Sequence, residues 1–297
     1  MTTILLTGKN GQLGWELQRT LSSLGHVVAF DRATLDLADH KNLRATIQEI
    51  KPDLIVNAAA YTAVDKAETE RKLATSINTH APEIMAEEAK KLGSALIHYS
   101  TDYVFDGTKQ TAYVETDRTN PQNVYGETKL NGELAIQSYD IPHYIFRTSW
   151  VYAARGHNFL LSMLRLMQER DSLNIVDDQF GSPTWSRDIS SITSYILAQS
   201  LDNKGLELGI MKETSGLYHL TSRGRTSWCD FARQILAKCS SQQKEHSFQI
   251  SGIPSSEYPA PAKRPMNSKL STLKLNNSFG IICPHWTESL ELCIQDV

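Results

Sequence analysis

Apolar and polar positions follow two rhythms along the first half of the chain. Short apolar runs at Thr3–Thr7, His26–Phe30, Leu54–Asn57, Ala95–Ser100 and Tyr144–Arg147 have the length and composition of buried strands. Between them lie stretches of helical period. These run from about Gln12 to Leu24, closed by Gly25; from Lys41 to Ile50, ahead of Pro52; from Pro82 to near Gly93; and from Val124 to Gln137, ahead of Pro142. Strand, helix, strand repeated in this way predicts right-handed crossovers and a doubly wound α/β fold, a parallel sheet with helices on both faces.

The rhythm breaks after about Trp150. The second half holds scattered short elements, including a helix-like Phe159–Arg170, an apolar Leu217–Thr221 and a proline-rich loop from Pro254 to Pro265. The expected division is therefore a sheet domain over 1–150 and, over 151–297, mainly a smaller C-terminal substrate-binding domain closing a cleft. Segments near 172–178 and 215–222 are candidates to return to the sheet. At 297 residues the chain can bury a large core, and 40% hydrophobic and 21% charged residues are ordinary for a globular protein. A net charge of −3 gives no global reason to bind nucleic acid or an acidic membrane. No apolar run approaches the length of a membrane span, and the N-terminus runs directly into a strand, so a cytoplasmic location is expected. Cys229, Cys239, Cys283 and Cys293 lack metal-site spacing and are expected as reduced core residues.

Chemistry enters with Gly8-Lys9-Asn10-Gly11-Gln12-Leu13-Gly14, a G-x-x-G-x-x-G turn between the first strand and first helix. Glycines at Gly8, Gly11 and Gly14 allow a tight turn and close approach to a diphosphate, which the free amides of the helix attract. In this setting the turn predicts a Rossmann-type dinucleotide site. Asp31, at the end of the second strand, suits the ribose hydroxyls of NADH, while the adjacent Arg32 suits the 2′-phosphate of NADPH, and the two leave the cofactor open. Asp36-Leu37 borders the adenine or lies in a plain surface loop. The alanines after Asn57 bring backbone close to a cofactor or serve helix–sheet packing.

Tyr125 and Lys129 stand four residues apart on one helical face, within reach of each other. A phenol titrating near 10 is a poor proton donor and acceptor at neutral pH. A neighbouring ammonium and the positive nicotinamide of an oxidised cofactor are expected to lower its pKa towards the working range. Thr101 ends the Ala95 strand, where ligands of open α/β sheets bind, with Ser100 as the competing hydroxyl on the other face.

Taken together, Gly8–Gly14, Asn57–Glu68, Ser100–Gly107, Asn123–Lys129, Arg147–Tyr152, Asp178–Thr184, Gly216–Leu220 and Tyr258–Pro265 closely resemble the dTDP-4-dehydrorhamnose reductase family of the extended short-chain dehydrogenases. The resemblance implies reduction of a 4-keto sugar nucleotide by NADPH or NADH, with Thr101, Tyr125 and Lys129 as catalytic residues. It implies cofactor contacts from Gly11, Gln12, Leu13, Asp31, Asp36, Leu37, Ala60, Tyr61, Thr62, Tyr99 and Lys129, and sugar-nucleotide contacts from Thr101, Asp102 and Trp150. Lys263 and Arg264, in the proline-rich loop, are the favoured cations for the phosphates of a dTDP-sugar, ahead of Arg223 and Arg225. Some members of the family form homodimers around Mg2+ held by acidic side chains. Glu16 matches one such ligand, but Arg187 stands where a second acid is expected, which puts the metal in doubt. Two other readings stay open: a non-catalytic cofactor-binding subunit like that of methionine adenosyltransferase, and an epimerase or dehydratase that keeps its cofactor.

Overall fold

A computed structural model describes residues 1–203, 205–240 and 248–297. The first half alternates as the pattern predicts: β1 (Thr3–Thr7), α1 (Gln12–Thr20), β2 (His26–Phe30), α2 (His40–Ile50), β3 (Leu54–Asn57), α3 (Ala81–Leu92), β4 (Ala95–Thr101), α4 (Val124–Gln137) and β5 (His143–Thr148). Beyond it lie α5 (Phe159–Glu169), β6 (Ser172–Val176), α6 (Ser186–Ala198), β7 (Gly216–His219), α7 (Trp228–Ser240), β8 (Gln249–Ile253) and α8 (Trp286–Gln295).

Six strands form one parallel sheet in the order β7-β5-β4-β3-β1-β2. The chain leaves β1 first to one side and then to the other. The reversal opens a crevice at the strand ends beside β1 and β3, the usual ligand position in such sheets. Adjacent strand residues feed opposite cores. Leu6, Tyr99 and Phe146 pack with Leu17 of α1 and Ile189 and Ile196 of α6. On the other face Leu5, Ile55 and Ile145 pack with Leu43 of α2 and Met85 of α3. A separate cluster, including Tyr152, Leu160, Phe231, Trp286 and Leu290, makes the core of the C-terminal layer.

Residues 216–219 pair with β5 and extend the sheet. The 172–178 segment does not. Its strand β6 pairs with β8 in a separate two-stranded ribbon, because the edge beyond β5 is already taken by β7. Helical structure also begins earlier than Pro82. Short helices at Val64–Ala67 and Arg71–Thr75 run into a π-turn, Ser76–His80, directly before α3. The cysteines are unpaired; Cys229, Cys283 and Cys293 are buried and Cys239 is half-buried. Among the described residues no helix is long and apolar enough to cross a membrane.

Candidate active site

Gly8 has φ +77, a conformation L side chains rarely adopt, and a Cβ at Gly14 would stand 2.0 Å from the Gly8 carbonyl oxygen. The turn therefore holds α1 against β1 only with glycine at both positions. Gly11 caps α1 without a side-chain hydrogen bond, which leaves first-turn amides free of a side-chain partner, and Leu13 is buried beneath them. Free amides at the helix start, together with a backbone bare of side chains, fit the diphosphate of a dinucleotide. Gln12 adds a buried Oε1 without a partner.

At the end of β2 the Asp31 carboxylate is partly exposed but held by its neighbours. It accepts from Thr34 N at 3.0 Å and Thr34 Oγ1 at 2.9 Å, and from Asn10 Nδ2 at 2.9 Å. Lys9 Nζ stands 3.7 Å away. These contacts, the Thr34 hydroxyl foremost, hold its pKa below the usual carboxylate value. Arg32 points outward and pairs loosely with Asp36 at 3.7 Å, so Lys9 rather than Arg32 is the cation at this carboxylate. Leu37 is buried in the core beside Leu35. Ala60, Tyr61 and Thr62 follow β3, and Asn78, from the π-turn, fixes that loop by accepting from Tyr61 N at 2.9 Å. Asn78 Nδ2 also donates to Thr128 Oγ1 of α4 at 3.1 Å. One asparagine thus ties the loop after β3 to the helix that carries Tyr125 and Lys129.

Asn123 caps α4 by accepting from Gly126 N at 2.8 Å, which starts the helix where Tyr125 and Lys129 both face the end of β4. Tyr125 is partly exposed and packs edge-on against Tyr103. Desolvation pushes its pKa up to about 12, and hydrogen bonding with the Thr101 hydroxyl offsets part of the rise. The expected depression by Lys129 is absent from this balance. Lys129, 1% exposed, turns its Nζ inward to the Tyr99 carbonyl at 2.5 Å and to His98 Nε2 at 3.0 Å. Burial lowers its own pKa to about 7. Tyr99 reaches Lys129 through its main chain, while its phenol is on the opposite face, bonded to Thr193 Oγ1 at 2.9 Å.

Thr101 donates to Asp102 Oδ1 at 3.0 Å and accepts from Tyr103 N at 3.1 Å. Burial raises the Asp102 pKa to about 6. Ser100 points away from this group, buried and without a partner. Trp150 has a left-handed backbone, φ 48, and lies flat on Trp228 with ring centroids 3.5 Å apart. Gly181 admits the indole: a Cβ there would come within 2.4 Å of it. Trp228, Lys263 and Arg264 line a cavity of about 1080 Å3 between α5, β6 and the proline-rich loop. Arg264 is anchored to Asp65 Oδ2 at 2.8 Å and Lys263 reaches Gln122 Oε1 at 3.2 Å. Arg223 and Arg225 lie elsewhere, the first on the Cys283 carbonyl at 2.6 Å and the second over the Phe180 ring.

The side chains do not fit the magnesium site implied for Glu16. Its Oε2 is met by Arg187 Nε at 3.4 Å, and the same guanidinium binds Asp296 Oδ2 at 2.6 Å. A cation is already supplied by the chain itself, and no metal-binding cluster of acids, histidines or cysteines exists among the described residues.

The sheet order and the glycine turn belong to a Rossmann-type NAD(P)H-dependent oxidoreductase. All 297 residues match the family described as RmlD substrate binding domain. A dTDP-4-dehydrorhamnose reductase of Burkholderia thailandensis is 47% identical over 99% of this chain and 98% of its own length. Two solved structures superpose with a TM-score of 0.89: a dTDP-4-dehydrorhamnose reductase of Clostridium acetobutylicum, 35% identical over 99% of this chain and 98% of that one, and one of Bacillus anthracis in complex with NADP, 33% identical over 100% and 99%. The chain belongs to the dTDP-4-dehydrorhamnose reductase family.

Proposed function

We propose that the protein reduces the 4-keto group of dTDP-4-dehydro-L-rhamnose to give dTDP-L-rhamnose, using NADPH or NADH. The observation that supports this reading is the contact of Tyr125 with Thr101 at the carboxyl end of β4, with Lys129 one helical turn on and bonded to the Tyr99 carbonyl of the same strand. When bound, the reduced nicotinamide supplies the hydride.

The protein's part is to place and protonate. Thr101 holds the ketone oxygen, and Tyr125 delivers a proton to it as negative charge develops. A reductase needs that phenol protonated at the outset, and burial keeps it so. Lys129 holds the nicotinamide ribose and, once its ammonium faces Tyr125, lowers the cost of losing the phenolic proton. Asp102 and the Trp150 indole meet the sugar, and Lys263 and Arg264 take the phosphates at the cavity wall. Lys9, beside Asp31, offers a charge to a 2′-phosphate, which supports use of NADPH as well as NADH.

The purified protein, given the keto sugar nucleotide, should consume NADPH stoichiometrically. Y125F should lower kcat by about 10²–10⁴-fold while the dissociation constant for NADP+ stays within about twofold. Near-wild-type turnover in Y125F would remove the tyrosine from its role. Tight cofactor binding with no consumption would favour the non-catalytic subunit, and a retained, unconsumed cofactor would favour an epimerase.

A further inference from the structure

Behind Lys129 stands a buried group that the reduction as described leaves unused. His98, in the middle of β4 and 1% exposed, has a polar neighbour on each ring nitrogen. Nε2 faces Lys129 Nζ at 3.0 Å and Nδ1 faces Asn57 Nδ2 at 3.1 Å. Asn57 Oδ1 in turn accepts from the Thr7 hydroxyl at 2.7 Å. Thr7, Asn57, His98 and Lys129 thus form one unbroken line under the strand ends, all buried. The line starts at the residue preceding Gly8 and ends at the catalytic helix.

A neutral imidazole carries a single proton, so donor and acceptor roles along this line are tied together. With Asn57 Nδ2 donating to Nδ1, the ring proton sits on Nε2 and points at Lys129, which must then be an uncharged amine to receive it. An ammonium at Lys129 requires the reverse. It donates to Nε2, the ring proton moves to Nδ1, and Asn57 turns its amide to present oxygen to the ring and nitrogen to Thr7. The first arrangement also suits the Ala59 N–H, which donates to Asn57 Oδ1 at 3.3 Å, whereas the second leaves that N–H to the Thr7 hydroxyl at 3.4 Å, so the ammonium arrangement is the costlier of the two.

On the reading of this site as a reductase, we propose that His98 is a positioning residue that couples the charge of Lys129 to occupation of the dinucleotide site, with an amine in the empty enzyme and an ammonium in the loaded one. Phosphates arriving at the turn beside Thr7 favour positive charge on the lysine. The surrounding groups allow both states. On α4, Tyr125 precedes Lys129 by one turn and Glu133 follows by one. Glu133 favours the ammonium, but Arg147 of β5 already holds its carboxylate at 2.9 and 2.6 Å. From β4 come the Tyr99 carbonyl and, past the strand end, Asp102. Asn57 of β3 and Thr7 of β1 are uncharged. Burial and the lysine's own charge keep His98 from becoming an imidazolium.

Two measurements test the coupling. Histidine 15N NMR, with the His98 signals assigned by their loss in H98Q, should give the Nε2–H tautomer in the empty protein and the Nδ1–H tautomer at saturation with NADPH, whose nicotinamide is uncharged. The same tautomer in both, or a doubly protonated ring in either, overturns the proposal. Independently, the pH profile of kcat is compared in H98L and H98Q. Leucine removes the acceptor for the ammonium, so the alkaline limb should move down by about one to two units, a ten- to hundredfold loss at the pH just above it. Glutamine restores an acceptor at the Nε2 position and should keep the limb within about half a unit of wild type. A limb that stays in place in H98L, with only the melting temperature lowered, would assign His98 a packing role and overturn the coupling. Should H98L fail to fold, the wild-type tautomers decide alone. A wild-type protein that binds NADPH but reduces no keto sugar counts against the reductase reading, and the tautomers still decide whether His98 follows cofactor binding.

Discussion

At Lys129, chemistry and stability pull in opposite directions. Its amine is buried, and a pKa near 7 in place of about 10.5 means that the folded protein disfavours the ammonium. Proton counting gives the sign. Below about pH 7 both states carry the charge and the folded one bears the full penalty. Between about 7 and 10.5 the unfolded chain holds the extra proton, so stability rises with pH, and above that range the penalty is gone. K129M, which keeps length and removes charge, should therefore abolish turnover yet raise the melting temperature of the empty protein by a few degrees at pH 7. Scanning calorimetry should find that gain shrinking towards pH 10; a gain independent of pH would mean the ammonium is not the cause. Lys9 makes a second prediction at this scale. K9M should raise KM for NADPH about three- to tenfold and leave KM for NADH nearly unchanged. The glycines, Tyr125 and Lys129 were candidates by spacing and Thr101 by its place at a strand end with Ser100 beside it; the resemblance, not the spacing, joined the last three as a set. Lys9, Asn10, His98 and Asn78 were not legible, because their importance lies in where a side chain points, and nothing in residue type or spacing encodes that. The tyrosine's raised pKa was hidden for a related reason: desolvation depends on what covers the phenol, which a four-residue interval does not specify.

At the scale of elements, strands and long helices were legible because their apolar periods persist over several residues. The π-turn Ser76–His80 had no such signal. Its polar sequence, Ser-Ile-Asn-Thr-His, reads as a loop, whereas its irregular backbone is what brings Asn78 onto Tyr61 and Thr128 together. The contact depends on Gly132, where a Cβ would stand 2.2 Å from the Asn78 carbonyl oxygen. G132A must push α4 away from the turn, at a cost of about 1–3 kcal/mol. Since Tyr125 and Lys129 ride on α4, kcat should fall along with stability, while N78A should loosen the Tyr61 loop and raise KM for the cofactor with a smaller loss of stability. Chemical denaturation and steady-state kinetics on the two variants separate these effects; G132A with wild-type kcat would show that α4 accommodates the methyl without moving its catalytic face.

At the scale of the whole molecule, the sheet could be read from the sequence, and of the second half the helix after Phe159 and the return of 216–219 to the sheet, but not the rest. Its two-residue strands and left-handed Trp150 are fixed by contacts distant in sequence, such as Gly181 under the indole and Trp228 over it. The same is true of Arg187. It starts α6, meets Glu16 on α1 and reaches Asp296 just past α8, so that three distant parts of the chain share one guanidinium. The guanidinium thus supplies, from within the chain, the positive charge that Glu16 and Asp296 would otherwise lack. The pairs are partly exposed and each worth little alone, so their loss should be modest and weakened by salt. Wild-type turnover and melting temperature should accordingly be unchanged by a chelator or by added magnesium. R187E places a third acid beside Glu16 and Asp296, and at low ionic strength it should lower stability by about 1 kcal/mol. Magnesium should then recover part of that loss in the variant and none in the wild type. A wild-type protein whose melting temperature falls with chelator would mean that a metal is held after all, by residues other than the Glu16 pair.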